Sequence, residues 1–266
     1  MMTATSTHGT AALGPVEIWL DRNEALLRVR LDRPKANIID MEMIASLSQA
    51  FAAYAEPGPV RAALLDAEGP HFSFGASVEE HLPDKCAQML SALHELLKQM
   101  LEWPRPILVA VRGQCLGGGL ELALAGSQIF AGSDAQLGQP EIKLGVFAPA
   151  ASCLLPLRIG QGAAEDLLFS GRSIDATEAK ALGLVHAVAD DPEAAALAYF
   201  DAHLSMKSAA SLAWAVQAAR ESYAPQVERR IAQVQRLYLN HMMQTRDANE
   251  GLAAFVAKRA PKWEHR

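Results

Sequence analysis

Residues 112–126 read RGQCLGGGLELALAG. Three consecutive glycines follow the strand-like run ILVAV (107–111) and open an apolar stretch whose one charged side chain is Glu121. Few local structures satisfy such a stretch. Glycine lets the backbone approach a neighbour or ligand closely, and the unpaired N–H groups at a helix start point outward toward negative charge. The pattern predicts a strand, a tight turn and a helix from about Gly118. Neither familiar phosphate-binding pattern is present. GxxxxGK[ST] is absent, and Gly113 is followed by Gln114, Cys115 and Leu116, which breaks GxGxxG. From the glycines alone, a turn packed on a sheet accounts for the segment as well as a ligand cradle does.

Glu121 shifts that balance. Its neighbours are Leu120, Leu122, Ala123, Leu124 and Ala125. Burying an unpaired carboxylate is costly, so it needs a partner or a chemical task. The plain alternative is a side chain facing solvent on an amphipathic helix, yet Gly117 and Ala125, one turn either way, build no polar face. A second carboxylate, Glu141, stands in QLGQPEIKLGVFAP behind Pro140, which fixes one backbone angle and removes a donor. Taken alone, a loop glutamate is more often a surface acid. Two carboxylates divide acid and base work when their surroundings separate their pKa values, but spacing does not show that these two meet.

The rest of the chain predicts α/β layering. VEIWL and LLRVRL alternate as two strands around a turn at Asp21–Glu24. A helix runs from Met41 to about Glu56 with Asp40 as N-cap, and VRAALLD (60–66) reads as a buried strand. A second helix covers 85–101, closed by Trp103-Pro104, and Ile107–Val111 is another buried strand. Strand–helix alternation implies largely parallel pairing. From about residue 190 to Lys258 the chain reads as helical, interrupted at Pro192 and Pro225. The expected parts are a flexible tail (1–14), a core (15–200) and a helical region (201–266). The tail, MMTATSTHGTAALG, has neither the basic nor the long apolar segment of a signal peptide.

Composition narrows the function. A net charge of −6 and a pI near 5.8 argue against a nucleic-acid surface. No apolar run reaches the ~20 residues of a membrane helix. Cys86, Cys115 and Cys153 are far apart and form no disulfide framework, which fits a reduced, cytoplasmic setting. No metal-ligand spacing is visible.

Five segments in order, RPKANIID, HFSFGAS, GQCLGGGLELA, QLGQPEIKLGV and EGLAAFVAKR, resemble the enoyl-CoA hydratase/isomerase (crotonase) superfamily over roughly residues 16–266. The resemblance implies a ββα spiral core with a helical C-terminal region that supports trimers or dimers of trimers. It implies an acyl-CoA substrate and no cofactor beyond that CoA. It places an oxyanion hole at the backbone N–H groups of Ala76 and Gly118, and a water-handling pair at Glu121, as base, and Glu141, as proton donor. A preorganised donor of this kind is typically worth roughly 2.7–4 kcal/mol in a transition state. Lys35, Ala36 and Phe74 match CoA-lining positions, and Phe255 and Lys258 match a C-terminal segment that reaches the CoA nucleotide. A solvated lysine and a packing phenylalanine are equally good readings of Lys35, Lys258 and Phe255.

Two departures bear on the substrate. Ser77 replaces the usual acid after the oxyanion alanine, and Phe147–Ser152 (FAPAAS) replaces a glycine-rich wall. FSFGASVEEHLPD resembles the branch that hydrates cyclohexa-1,5-diene-1-carbonyl-CoA in anaerobic benzoyl-CoA breakdown. The implied alternatives are a hydratase of linear 2-enoyl-CoA and a non-catalytic binding protein, RNA included. Keeping both glutamates argues against the latter. His81 is a further substrate-contact candidate, although a loop histidine is more often solvated. Cys115 has no base beside it and reads as a packing residue. Glu165 and Asp166 read as helix-surface acids.

Overall fold

The computed structural model describes residues 10–266. The chain begins with β1 (Ala11–Leu13), β2 (Val16–Asp21) and β3 (Leu26–Leu31), then α1 (Met41–Ala53), β4 (Ala62–Ala67) and α2 (Cys86–Glu102). Next come β5 (Ile107–Val111), β6 (Gln114–Leu116), α3 (Gly118–Leu124), β7 (Gln128–Gly132) and β8 (Gln136–Gly138). A 3-10 turn (Pro140–Leu144) leads to α4 (Ala151–Ile159), α5 (Gln161–Ser170), β9 (Ser173–Asp175), α6 (Ala176–Ala181) and β10 (Ala187–Ala189). Four helices close the chain: α7 (Pro192–Tyr199), α8 (Ala209–Arg220), α9 (Tyr223–Asn240) and α10 (Arg246–Val256).

One sheet has the order β1-β2-β3-β4-β5-β7-β10, antiparallel through β3 and parallel beyond it. A second, smaller sheet, β6-β8-β9, stands beside it. Successive passes thus leave one strand in each sheet and then a helix, the expected ββα spiral. Side chains alternate across the large sheet. Ala63 and Leu65 face the main core under α1 and α2, while Ala62 and Leu64 face a smaller cluster with Ala196 and Phe200 beside α7. Asp40 caps α1 by accepting from Met43 N at 2.9 Å, as its position predicts.

Three expectations change. Residues 1–9 of the expected tail lie outside the described residues, but Ala11–Leu13 is a strand: Ala11 pairs with Ile18 and Leu13 with Val16. Pro192 starts α7, and Pro225 lies inside α9. Both sit in a first turn, where N–H groups have no intrahelical acceptor, so proline costs nothing there. No described helix is long and apolar enough to cross a membrane.

Candidate active site

The loop after β4 is held by buried polar side chains. Asn37 Nδ2 donates to Glu68 O and His71 O, both at 3.0 Å. The Ser73 hydroxyl donates to Asn37 O at 2.7 Å and accepts from Gly75 N at 3.0 Å. A parallel bridge then forms: Ile39 N donates to Gly75 O (3.0 Å) and Ser77 N to Ile39 O (3.1 Å). Along an extended chain successive N–H groups point to opposite sides, so the Ala76 N–H faces away from that bridge.

It faces the start of α3. A Cβ on Gly118 would lie 3.0 Å from the Ala76 Cβ and 3.1 Å from its N, and one on Gly75 would lie 3.0 Å from Leu116 O and 3.5 Å from Gly118 N. Gly75 has φ +107°, which with this crowding requires glycine. Gly118 is the first residue of α3, where the N–H has no intrahelical acceptor. The Ala76 and Gly118 backbones therefore lie side by side at the positive end of a helix. This is the structural reason for the glycines: they bring two distant backbone segments into contact.

Glu121 is in the first turn of α3 and 3% exposed. Its Oε1 accepts from Ala151 N at 2.8 Å, and Ala150 N–H also supports it. Neither comes from a cation. The 147–152 segment therefore does more than shape a wall, because it delivers the N-terminus of α4 to Glu121. α4 has no side-chain N-cap of its own, and Glu121 caps it from another helix. Burial pushes the Glu121 carboxyl well above its usual range, and the two N–H groups pull part of the way back.

Glu141, in the 140–144 turn, meets this site from the other side. A Cβ on Gly117, where φ is +52°, would lie 2.6 Å from Glu141 Oε1. Gly117 N donates to Gly138 O at 2.9 Å, tying α3 to the strand that leads to Glu141. Burial, and then the charge of Glu121, raise the Glu141 pKa. Two carboxyls coupled in this way titrate as a pair, and ionising one disfavours ionising the other.

The structure thus brings Ala76, Gly118, Glu121 and Glu141 together. Phe74 N donates to Ala36 O at 2.9 Å, so these two are neighbours. Lys35 is exposed beside them. Phe255 and Lys258 are exposed at the end of α10, a helix that packs on the 78–81 and 140–144 turns. Among the described residues no hydrogen bond, ion pair or ring contact links them to Lys35 or Phe74. His81 is partly buried, with Nδ1 2.8 Å from Ser77 O, and burial lowers its pKa. The neutral ring donating to that carbonyl steadies the turn after Ala76. Cys115 is fully buried, and burial drives its thiol pKa far up. Asp166 is exposed and paired with Arg172, and Glu165 accepts from Gln161 at 2.8 Å. Among the described residues no group of three metal-ligating side chains occurs.

Sequence reasoning missed Gln139, which is 1% exposed. Its amide lies 3.1 and 3.0 Å from the two oxygens of Glu141. With its NH2 turned to the carboxylate, it donates to both oxygens. Its place two residues before Glu141, flanked by Gly138 and Pro140, was the available signal. Tyr238, fully buried on α9, was also missed, and nothing local to its sequence marks it.

Residues 21–266 match the model of a family described as Enoyl-CoA hydratase/isomerase. The chain is 58% identical to cyclohexa-1,5-dienecarbonyl-CoA hydratase of Thauera aromatica over 96% of this chain and 99% of that protein. It is 32% identical to a probable enoyl-CoA hydratase of Bacillus subtilis over 95% and 99% of the two chains. The crystal structure of an enoyl-CoA hydratase/isomerase from Pseudoalteromonas atlantica superposes with TM-score 0.83 at 27% identity, covering 94% of this chain and 100% of that one.

Proposed function

The chain belongs to the enoyl-CoA hydratase/isomerase family, and from that premise we propose that it is a hydro-lyase adding water to cyclohexa-1,5-diene-1-carbonyl-CoA to give 6-hydroxycyclohex-1-ene-1-carbonyl-CoA. The observation that carries the chemistry is a pair of coupled carboxyls without a cation, set where the backbones of Ala76 and Gly118 approach each other. The thioester oxygen sits between Ala76 N–H and Gly118 N–H. Ionised Glu121 takes a proton from water as its oxygen bonds to the β-carbon, and the displaced electron pair moves to the thioester oxygen as a dienolate. Protonated Glu141 then gives its proton to the far end of the diene. Glu121 gains one proton and Glu141 loses one, so the pair begins and ends with one proton, and transfer between them resets the site. The work is done by side chains and backbone, with CoA as part of the substrate.

The cyclic substrate is favoured by the 58% identical relative, whose name states it, and by the FAPAAS segment in place of glycines. The test is a chromatographic assay with cyclohexa-1,5-diene-1-carbonyl-CoA and crotonyl-CoA offered separately. Hydration of the diene is expected. Fast turnover of crotonyl-CoA alone would replace the cyclic reading with a linear one, and turnover of neither would favour a binding role.

Lys35, Ala36, Phe74, Phe255 and Lys258 are proposed to contact CoA, and calorimetric titration of Lys35→Ala and Lys258→Ala with a CoA thioester would weigh each. The helical region is proposed to assemble the chain as a trimer or a dimer of trimers. Trp214, 69% exposed on α8, supports that reading, and sedimentation equilibrium tests it. A cytoplasmic location belongs to the same proposal and rests on three free, buried cysteines.

A further inference from the structure

Tyr238 is fully buried, yet its hydroxyl has no hydrogen-bond partner among the protein atoms. Leaving a buried hydroxyl unpaired is costly, and phenylalanine would fill the same volume without that cost. The ring is fixed edge-on against Phe147, with centroids 5.1 Å apart and planes at 74°. Phe147 belongs to the segment between Glu141 and the start of α4, which holds Glu121. Burial first, and then the Cys86 thiol and the charges of Glu141 and Glu121, oppose its ionisation. It is therefore a neutral O–H donor, bonded to neither carboxyl, on the helix that packs against α4.

An oxygen held between two carboxyls that share one proton can give a hydrogen to the ionised one and accept from the protonated one. It still has a lone pair to satisfy. Around the start of α4, the N–H groups of Ala150 and Ala151 serve Glu121, and Pro149 has none. We propose that the Tyr238 hydroxyl donates a hydrogen bond to the oxygen added at the β-carbon, first as water and then as the product's ring hydroxyl, and so fixes where that oxygen stands between Glu121 and Glu141. In the reverse direction the same donor stabilises the charge on the departing hydroxide. This deepens the hydratase reading and rests on it.

Tyr238→Phe tests the proposal with little change of shape. It is expected to lower kcat roughly ten- to a hundred-fold, the range of one lost hydrogen bond to a charged or charging group. KM is expected to stay within about threefold, because the thioester and CoA contacts are untouched. The melting temperature should hold or rise, since an unpaired hydroxyl is removed, which separates the role from a structural one. A second readout does not need turnover. Wild type should bind 6-hydroxycyclohex-1-ene-1-carbonyl-CoA more tightly than the analogue lacking the hydroxyl, and Tyr238→Phe should erase that preference. Unchanged kcat, or an undiminished preference in the variant, overturns the role of Tyr238. Failure of wild type to hydrate the cyclic diene instead overturns the substrate reading, and the calorimetric comparison still decides on Tyr238.

Discussion

Two places in this molecule bury acids, and they treat them oppositely. Asp66 on β4 is 2% exposed, and its carboxylate is gripped by Arg28 at 2.8 Å and Arg30 at 2.7 Å. Glu193 of α7 joins the same two arginines, and both guanidiniums lie against the Trp19 ring at 4.8 and 5.3 Å. Glu121, 3% exposed, meets only backbone N–H groups, and Glu141 meets an amide. The first cluster ties the outer face of the sheet to α7. The second leaves its charge uncompensated, so its protons are easily moved. A buried acid with a cation is held still by it, whereas a buried acid without one is poised to exchange its proton.

Exchanging carboxylate for amide breaks the contrast most sharply. Glu121→Gln and Glu141→Gln are each expected to lower kcat by about 10²–10⁴-fold, the usual weight of a positioned acid or base, while circular dichroism stays native. The same change at Asp66 should do the reverse. Asp66→Asn takes one carboxylate from Arg28 and Arg30, which keep Glu193, so denaturant titration should show a loss of ~1–3 kcal/mol with kcat nearly unchanged below the melting transition. Near-equal stability losses at Asp66 and Glu121 would erase the distinction drawn between the two sites.

Smaller effects refine it. Gly117→Ala puts a methyl on Glu141 Oε1 at a left-handed φ. It should cost about 1–2 kcal/mol of stability and reduce kcat more than tenfold by displacing the acid by an ångström or so. The least change is expected in pH dependence. Both glutamates have raised pKa values in the fold, so the native state binds more protons than the unfolded chain once pH exceeds the unfolded value of about 4.3. Their contribution to stability is complete below that value and is lost as pH rises through the folded pair. The melting temperature of wild type should thus fall more steeply than that of Glu121→Gln as pH is raised from 5 to 8. Parallel curves would mean that the pair is solvated.

Much of this was legible in the chain. β5 was found residue for residue, and the α3 start at Gly118 followed from the glycines. Glu121 betrayed itself because a charge inside LELALA has no polar face to occupy. What escaped depends on partners remote in sequence. Ala11–Leu13 has no marked pattern and becomes a strand because β2 offers an edge. Pro225 signalled a break, but in a first turn it removes an N–H that had no acceptor. FAPAAS was read for its bulk, and its larger task, presenting a helix end to Glu121, needs the folded distance. Gln139 and Tyr238 look ordinary until the neighbours they face are known.

The close approach of Gly75 and Gly118 also has a kinetic consequence. The two N–H donors come from separate passes of the spiral, Glu121 is anchored by a third segment, and α9 packs across α2 and α4. None of these contacts is local, and contacts between segments far apart in sequence form slowly during folding. A refolding chain can therefore hold most of its helices and strands while its donors are still apart. Recovered turnover will lag behind recovered helical signal, and activity becomes a clock for the last stage of assembly.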